Sequence, residues 1–260
     1  MTERYSKNGQ AVPEFYDALA EDYDAMTGFQ KRFIHEKPFF RLLVDQHSIQ
    51  TAVDAGCGTG FHALLLAQLG VEVTAVDISR EMLHRLQMHA REMHLKVHVV
   101  KSIFQHLTDA IRKTHDAVFC MGNSLVHILS RDDLRQTLMS FSRLLIPHGL
   151  LFIQILNYDR IMAHRERVQS VKESEGKTFV RYYEYDKETI QFSILKIEKR
   201  EGNLEHAVET IELRPILKDE LLQLLSETGF VDVKACGGIS MEDFRPKTSK
   251  DLVLLARKSP

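Results

Sequence analysis

The 260-residue sequence predicts an α/β fold: an open, mostly parallel sheet with one antiparallel strand, flanked by helices and carrying a small antiparallel β insert. Three observations predict it. Residues 51–78 read TAVDAGCGTGFHALLLAQLGVEVTAVDI, a strand, a glycine turn, a helix and a second strand. Further short apolar runs alternate with helical patterns up to about residue 160, as in parallel sheets. From 165 to 214 the pattern changes to period two, which marks antiparallel strands with one buried face.

This length can bury one core with a small addition. The net charge of −2 and pI near 6.7 give no electrostatic case for nucleic acid or an anionic membrane. Neither a charged-then-apolar leader nor an apolar run of about 20 residues is visible, so a cytoplasmic protein without a membrane span is expected. Three scattered cysteines, at 57, 120 and 236, read as reduced thiols rather than a disulfide frame.

Taken in order, residues 1–12 are polar and expected to fray. Pro13 suits the first turn of a helix, and EFYDALAEDYDAM continues it. Tyr16 and Tyr23, seven residues apart, share one face of that helix. The helix either docks with its tyrosines half in the core or forms a lid that presents their hydroxyls to a ligand. Arg32 is either a ligand-binding cation or a solvated charge. The strand from Thr51 ends in Asp54, the turn holds Gly56, Gly58 and Gly60, and a helix over 61–69 stops at Gly70. Cys57 lies inside the turn, where a small side chain suffices. The second strand ends in Asp77.

Ser79 caps the helix of residues 79–94. His84, His89, His94 and His98 are spaced five, five and four apart, so they spread around the helix and read as surface histidines. No Cys or His pair has metal-ligand spacing. KVHVV, 96–100, is the third strand and DAVFCM, 116–121, the fourth. An amphipathic helix over 131–145 leads to the turn Pro147-His148-Gly149, where His148 tolerates a left-handed backbone. LLFIQIL is the fifth strand. The period-two region makes three or four strands, with a hairpin turn at Glu201-Gly202-Asn203. A helix from Lys218 to Thr228 is closed by Gly229-Phe230, and VDVKAC and DLVLLARK are the last two strands.

The candidate chemistry sits at strand ends, where ligands bind in open α/β sheets. Glycine lets a ligand approach the backbone, and the following helix offers unpaired N–H groups. Asp77 lies about 20 residues past the first glycine, where a carboxylate accepts both hydroxyls of a ribose. The spacing is GxGxG rather than the dinucleotide GxGxxG, with Phe61 after the last glycine. Asp54, just before the turn, would repel a pyrophosphate and suits a cationic ligand. An oxidoreductase of the nicotinamide type is disfavoured on both counts. Ile78 is placed to pack on an adenine face.

DAGCGTG with VDIS resembles the first two motifs of class I S-adenosylmethionine (SAM) dependent methyltransferases. GNSLVHIL after the fourth strand and NYD after the fifth, with the YD…A..YD.M segment, narrow this. Over roughly residues 15–160 the chain is similar to glycine N-methyltransferase and its relatives. The resemblance implies a Rossmann-like seven-stranded methyltransferase sheet with SAM as cofactor and S-adenosylhomocysteine (SAH) as product. It implies a cofactor site of Tyr16, Tyr23, Arg32, Asp54, Gly56, Cys57, Gly58, Gly60, Asp77, Ile78, Ser102, Ile103, Met121 and Gly122. Ser102 stands near where the family often has an acid for the adenine amino group. Asn123 and His127 at the end of the fourth strand, with Tyr23, are the candidate catalytic residues facing a small-molecule acceptor; Asn123 alternatively only caps the strand end, and the resemblance gives it a part in holding a substrate carboxylate.

The expected organisation is a helical lid over 1–45, a SAM-binding core over 46–160, a β insert over 161–215 and completion of the core over 216–260. The insert either covers the substrate or forms a homodimer surface, and Arg181, Tyr182, Tyr183 and Tyr185 are its candidate contacts. In the glycine enzyme an arginine directly before NYD pairs the substrate carboxylate. Leu156 stands there, and an apolar residue cannot do so. N-methylation of a small amine other than glycine is expected. O-methylation of a hydroxyl or carboxylate, and a non-catalytic SAM-sensing module, are the alternatives. No NPPY-like run follows the fourth strand, which disfavours a nucleic-acid substrate.

Overall fold

A computed structural model describes residues 12–200 and 203–260. The expected fraying of 1–12 falls almost wholly outside these residues, as do Glu201 and Gly202. The described residues begin with α1 (12–19), α2 (Tyr23–Thr27) and α3 (Phe29–His47). The core follows as β1 (Thr51–Ala55), α4 (Phe61–Gln68), β2 (Glu72–Asp77), α5 (Arg80–Glu92), β3 (His98–Lys101), α6 (Leu107–Ala110), β4 (His115–Cys120), α7 (Arg131–Leu144), β5 (Leu145–Leu156) and α8 (Tyr158–His164). Four strands come next: β6 (Val168–Ser174), β7 (Lys177–Tyr185), β8 (Ile190–Arg200) and β9 (Asn203–Leu213). α9 (Lys218–Glu227), β10 (Phe230–Cys236) and β11 (Asp251–Lys258) close the chain.

The main sheet has seven strands in the order β10-β11-β5-β4-β1-β2-β3. β11 runs antiparallel to both neighbours, and the remaining pairs are parallel. Its central strands are buried on both faces, which explains their continuous apolar runs. One face packs on α3, α4 and α5 through Phe40, Leu43, Leu65, Leu66 and Leu86. The other packs on α7 and α9 through Leu134, Leu138, Phe141, Leu221 and Leu225. The second sheet, β6-β7-β8-β9, is wholly antiparallel. Its Phe179, Tyr183, Ile194 and Ile211 join the second of these core faces. β8 and β9 pair up to Arg200 and Asn203.

Three local expectations change. The N-terminal helix is not continuous: residues 20–22 form a turn between α1 and α2. Asp22, in that turn, is buried and faces Lys177 at 2.5 Å and Lys196 at 2.9 Å on the second sheet. The tyrosines still meet across the break, with Tyr16 and Tyr23 ring centroids 6.2 Å apart. β3 begins at His98 rather than residue 96. Pairing of β5 with β4 jumps from Leu145 to Leu150, so Pro147-His148-Gly149 is an excursion within β5, and His148 is left-handed at φ 62°.

Candidate functional site

The strand order reverses between β1 and β4, so their carboxyl ends open a crevice. The glycine turn lines one side. Gly56 has φ 78°, and a Cβ there would come within 2.5 Å of the Ser124 hydroxyl. Gly60 caps α4 with φ 95°, and a Cβ would strike Leu86 at 2.5 Å. With glycine as cap, no side chain competes for the first N–H groups of α4. Asp77 accepts from the Gly58 amide at 2.8 Å and the Ser79 amide at 2.9 Å, which holds its carboxylate at the edge of the turn. Burial raises its proton affinity, and these N–H donors offset the rise in part. Ser79 caps α5 by accepting from the Met82 amide at 3.1 Å.

Asp54 is 1% exposed, and its Oδ2 has no partner among the described residues. Burial pushes its carboxyl up to about 6, against the pull of His62 and the Ala63 amide. A buried carboxylate with an open oxygen behind the turn fits a cationic ligand. Cys57 and Cys120 are buried, and burial raises both thiols well above their ordinary range, so neither is a nucleophile at neutral pH.

The N-terminal segment crosses over this crevice. Asp17 accepts a short hydrogen bond from the Ser79 hydroxyl, and Thr59 donates to Asp24 at 2.6 Å. His89 sits between the Thr59 carbonyl at 3.1 Å and Asp24 at 3.0 Å. Two acceptors on its two nitrogens hold the ring protonated above its ordinary range, Asp24 chiefly. His89 is therefore not a surface histidine. The opposite side of α1 and α2 roofs a cavity of about 390 Å³ between the main sheet and the second sheet.

Tyr16, Tyr23, Arg32, Met121, Gly122, Asn123 and His127 all line this cavity. Asp54, Gly56, Cys57, Gly58, Gly60, Asp77, Ile78, Ser102 and Ile103 do not; they form the adjoining turn and strand ends. The two groups adjoin at Gly58, where a Cβ would lie 3.6 Å from the Tyr23 ring. Ser102 spends its hydroxyl proton on the Ile103 carbonyl at 3.0 Å, leaving its lone pairs to accept. Arg32 pairs with Glu36 at 2.7 Å and lies 4.2 Å over the Phe61 ring.

Within the cavity, the Tyr16 hydroxyl meets His127 Nε2 at 2.7 Å. Burial pushes the His127 imidazole down to about 4, so it is neutral at physiological pH. Tyr16 is raised well above its ordinary range, by burial first and then by Tyr23 and Asp77. Both groups are neutral, and with the imidazole proton on Nδ1 the phenol donates to Nε2. Its oxygen lone pairs remain able to accept from a ligand.

Asn123 has a different setting from that expected of a substrate-facing residue. It is left-handed at φ 71° at the end of β4. Its Oδ1 accepts from the Leu156 amide at 3.0 Å, and its Nδ2 donates to the Tyr158 hydroxyl at 3.0 Å. The side chain staples the ends of β4 and β5, leaving one amide proton toward the cavity. The NYD run is likewise structural. Asn157 caps α8 and donates to the carbonyls of Pro246 at 3.0 Å and Ser249 at 2.9 Å. Tyr158 is buried, and Asp159 accepts from the Lys218 amide at 3.0 Å at the start of α9.

Sequence reasoning missed Glu36, Gln154 and Asp251, which also line the cavity. Gln154 donates to Asp251 at 2.8 Å and accepts from the Gly122 amide at 2.8 Å. Burial raises the Asp251 carboxyl, with Gln154 pulling against it. Period two on β5 and β11 could have flagged both as polar interruptions of apolar strands. Of the four candidates on β7, Arg181 and Tyr183 line the cavity. Tyr182 does not line it, and Tyr185 spends its hydroxyl on the Glu166 carbonyl at 2.5 Å.

A profile described as a methyltransferase domain matches residues 52–149, which hold the turn and both acids. The chain is 29% identical over 229 residues to a glycine/sarcosine N-methyltransferase of Aphanothece halophytica, covering 86% of this chain and 82% of that one. It is 29% identical over 147 residues to human glycine N-methyltransferase, covering 52% and 50% of the two chains. A SAM-dependent methyltransferase structure from Clostridium acetobutylicum superposes with a TM-score of 0.79 at 18% identity, over 94% of this chain and 99% of that one. At that identity the likeness is one of fold.

With this fold, this turn and these relatives, the chain is a class I SAM-dependent methyltransferase. Within that class it acts on small molecules, its sequence resembles the glycine/sarcosine N-methyltransferases, and its cofactor is SAM. The open Oδ2 of Asp54 and the side-chain-free cradle at Gly56 and Gly58 fit that cationic nucleoside. No helix among the described residues is long and apolar enough to cross a membrane.

Proposed function

We propose that this enzyme N-methylates a small amine other than glycine. The observation that carries the proposal is the Tyr16–His127 pair at 2.7 Å, half-buried and uncharged. An amine attacks only with a free lone pair, and an uncharged polar pocket favours its neutral form. The Tyr16 oxygen accepts one amine proton and orients the lone pair, while His127 fixes the phenol. The bound cofactor supplies an electrophilic methyl group on a sulfonium. The chain's part is then position and exclusion of water.

In this reading Asp77 holds the ribose hydroxyls, Asp54 answers the positive charge, Ile78 flanks the adenine and Ser102 accepts from its amino group. Arg32 takes the cofactor carboxylate, α1 and α2 are the lid, and the four-stranded sheet covers the acceptor. Names of relatives support N-transfer, since those covering most of the chain are glycine/sarcosine N-methyltransferases. Leu156 on the cavity wall argues against glycine itself.

Asp251 favours a second reading. It is a half-buried carboxylate of raised proton affinity on the same cavity, suited to deprotonate a hydroxyl for O-transfer. SAH release across paired amines and hydroxy compounds, with glycine and sarcosine included, tests both. Turnover of amines alone supports N-transfer. Turnover of hydroxyls alone overturns it, and efficient use of glycine overturns the argument from Leu156.

A further inference from the structure

We infer that Arg181 anchors an anionic group on the methyl acceptor, and that the acceptor carries this anion on a bulky apolar body. This rests on the reading of the cavity as the acceptor site. Arg181 and Tyr183 alternate onto the same face of β7 and reach the cavity wall. Among the described residues no carboxylate lies within ion-pair distance of Arg181. Its one described hydrogen bond, from Nη2 to the Met26 carbonyl, is 3.5 Å long, at the limit of such a bond. Arg32, the other cavity guanidinium, pairs with Glu36 and in the reading above is the one assigned to the cofactor carboxylate, which leaves Arg181 for the acceptor.

Positive charge accumulates around this point. Lys172 donates to the same Met26 carbonyl at 3.1 Å. Burial lowers its proton affinity, and Arg181, Lys31 and Arg32 lower it further. A guanidinium that faces a cavity without a counter-ion favours an anionic ligand. Its fork matches a carboxylate in two-point contact. The guanidinium also acts on the Tyr16 and Tyr23 phenols, so the anion site and the Tyr16–His127 pair belong to one chamber.

Beside its polar groups, Gln154, Asp251 and Glu36 among them, that chamber has a broad apolar wall. Phe15, Phe192, Ile194, Leu213, Leu156 and Ile239 form it. Glycine has no group to place against these side chains. An amino acid with a large aliphatic or aromatic side chain, or another amine bearing a carboxylate and such a body, meets all three demands. The amine goes to Tyr16, the carboxylate to Arg181 and the body to the apolar wall.

The test is calorimetry on the SAH-loaded protein with 3-phenylpropionate, its neutral amide and acetate as probes. The expected result is binding of 3-phenylpropionate at least about tenfold tighter than either other probe, the size of one charge-assisted hydrogen bond. Arg181→Met is expected to lose the preference for acid over amide, and Arg181→Lys to keep part of it. SAH affinity, measured first, reports that each variant is folded. Equal binding of acid and amide by the natural protein overturns the inference, as does a preference that survives in Arg181→Met. Loss of SAH affinity with 5′-methylthioadenosine affinity intact also overturns it, because Arg181 would then hold the cofactor carboxylate. Should the probes behave as expected while no amine is methylated, the anion anchor stands and the N-transfer reading fails.

Discussion

Asp54→Asn separates what Asp54 costs the protein alone from what it contributes with cofactor bound. The carboxyl is pushed up from 3.8 to about 6, by burial first. At 1.36 kcal/mol per unit, holding it ionised at neutral pH costs the cofactor-free protein about 3 kcal/mol. The sign follows from the direction. The folded protein holds this proton more tightly than the unfolded chain, so the contribution is complete below pH 3.8 and lost as pH rises through 6. Asparagine is neutral, nearly isosteric and still able to accept from Ala63. At pH 7.5 the cofactor-free variant is therefore expected to melt about 6 °C higher, taking roughly 2 °C per kcal/mol for a chain of this size. The gain is expected to vanish near pH 4. SAH is expected to stabilise the variant less than the natural protein, since the charge that answers the ligand's cation is gone. Thermal unfolding by circular dichroism, with and without SAH across that pH range, reads every part. A cofactor-free variant that melts no higher at pH 7.5, or one stabilised by SAH as strongly as the natural protein, would refute the reasoning.

Asp77→Ala removes the proposed ribose acceptor and the partner of the Gly58 amide, so SAH affinity is expected to fall by about a hundredfold or more by calorimetry; unchanged affinity would remove Asp77 from the cofactor site. His127→Gln should lower kcat/KM by about tenfold or more through loss of the Tyr16 partner. Because burial depresses His127 from 6.5 to about 4, its contribution to stability is present above pH 6.5 and lost as pH falls toward 4, opposite in sign to Asp54. The variant should lose that segment of the pH–stability curve, and an unaltered curve would contradict the assignment. Asp22→Asn breaks the link between the α1–α2 turn and the second sheet, leaving Lys177 and Lys196 without their shared carboxylate. Burial alone would raise Asp22, but hydrogen bonds from the two lysines hold it below its ordinary range, so this link is present above pH 3.8 and weakens as pH falls further. The expected outcome at neutral pH is a loss of about 1–3 kcal/mol and faster hydrogen exchange over residues 12–27; exchange equal to that of the natural protein would show that the link does not hold the segment.

The fold was legible because its signals are local. A glycine turn that opens a leucine-rich helix, apolar runs of strand length and a switch to period two each declare themselves within about ten residues. Asp54 and Asp77 were legible for the same reason, lying at fixed offsets from the turn. What stayed hidden depends on partners far along the chain. Asp22 reads as one acid among several in EDYD, yet it is buried against lysines more than 150 residues away. His89 reads as a member of a surface series, and its partial burial depends on the N-terminal segment that packs back onto α5.

The motifs that suggested a substrate prove to specify the rim of the pocket. Asn123 bonds the Leu156 amide and the Tyr158 hydroxyl, so the asparagine after β4 and the tyrosine after β5 are two halves of one staple. Asn157 and Asp159 extend it to the loop before β11 and to the start of α9. Finding these residues together in a sequence therefore indicates that the strand ends are locked in this arrangement. It says little about the acceptor, because the staple uses backbone N–H groups and carbonyls that are present whichever side chain stands at position 156. That side chain faces the cavity while its amide serves the staple, so an arginine or a leucine can occupy the same frame. In the proposed reading, acceptor choice falls to side chains that the staple does not use, Leu156 from the core and Arg181 from the second sheet. On that reading a chain can share this rim with the glycine/sarcosine N-methyltransferases it resembles and still take a larger anionic acceptor.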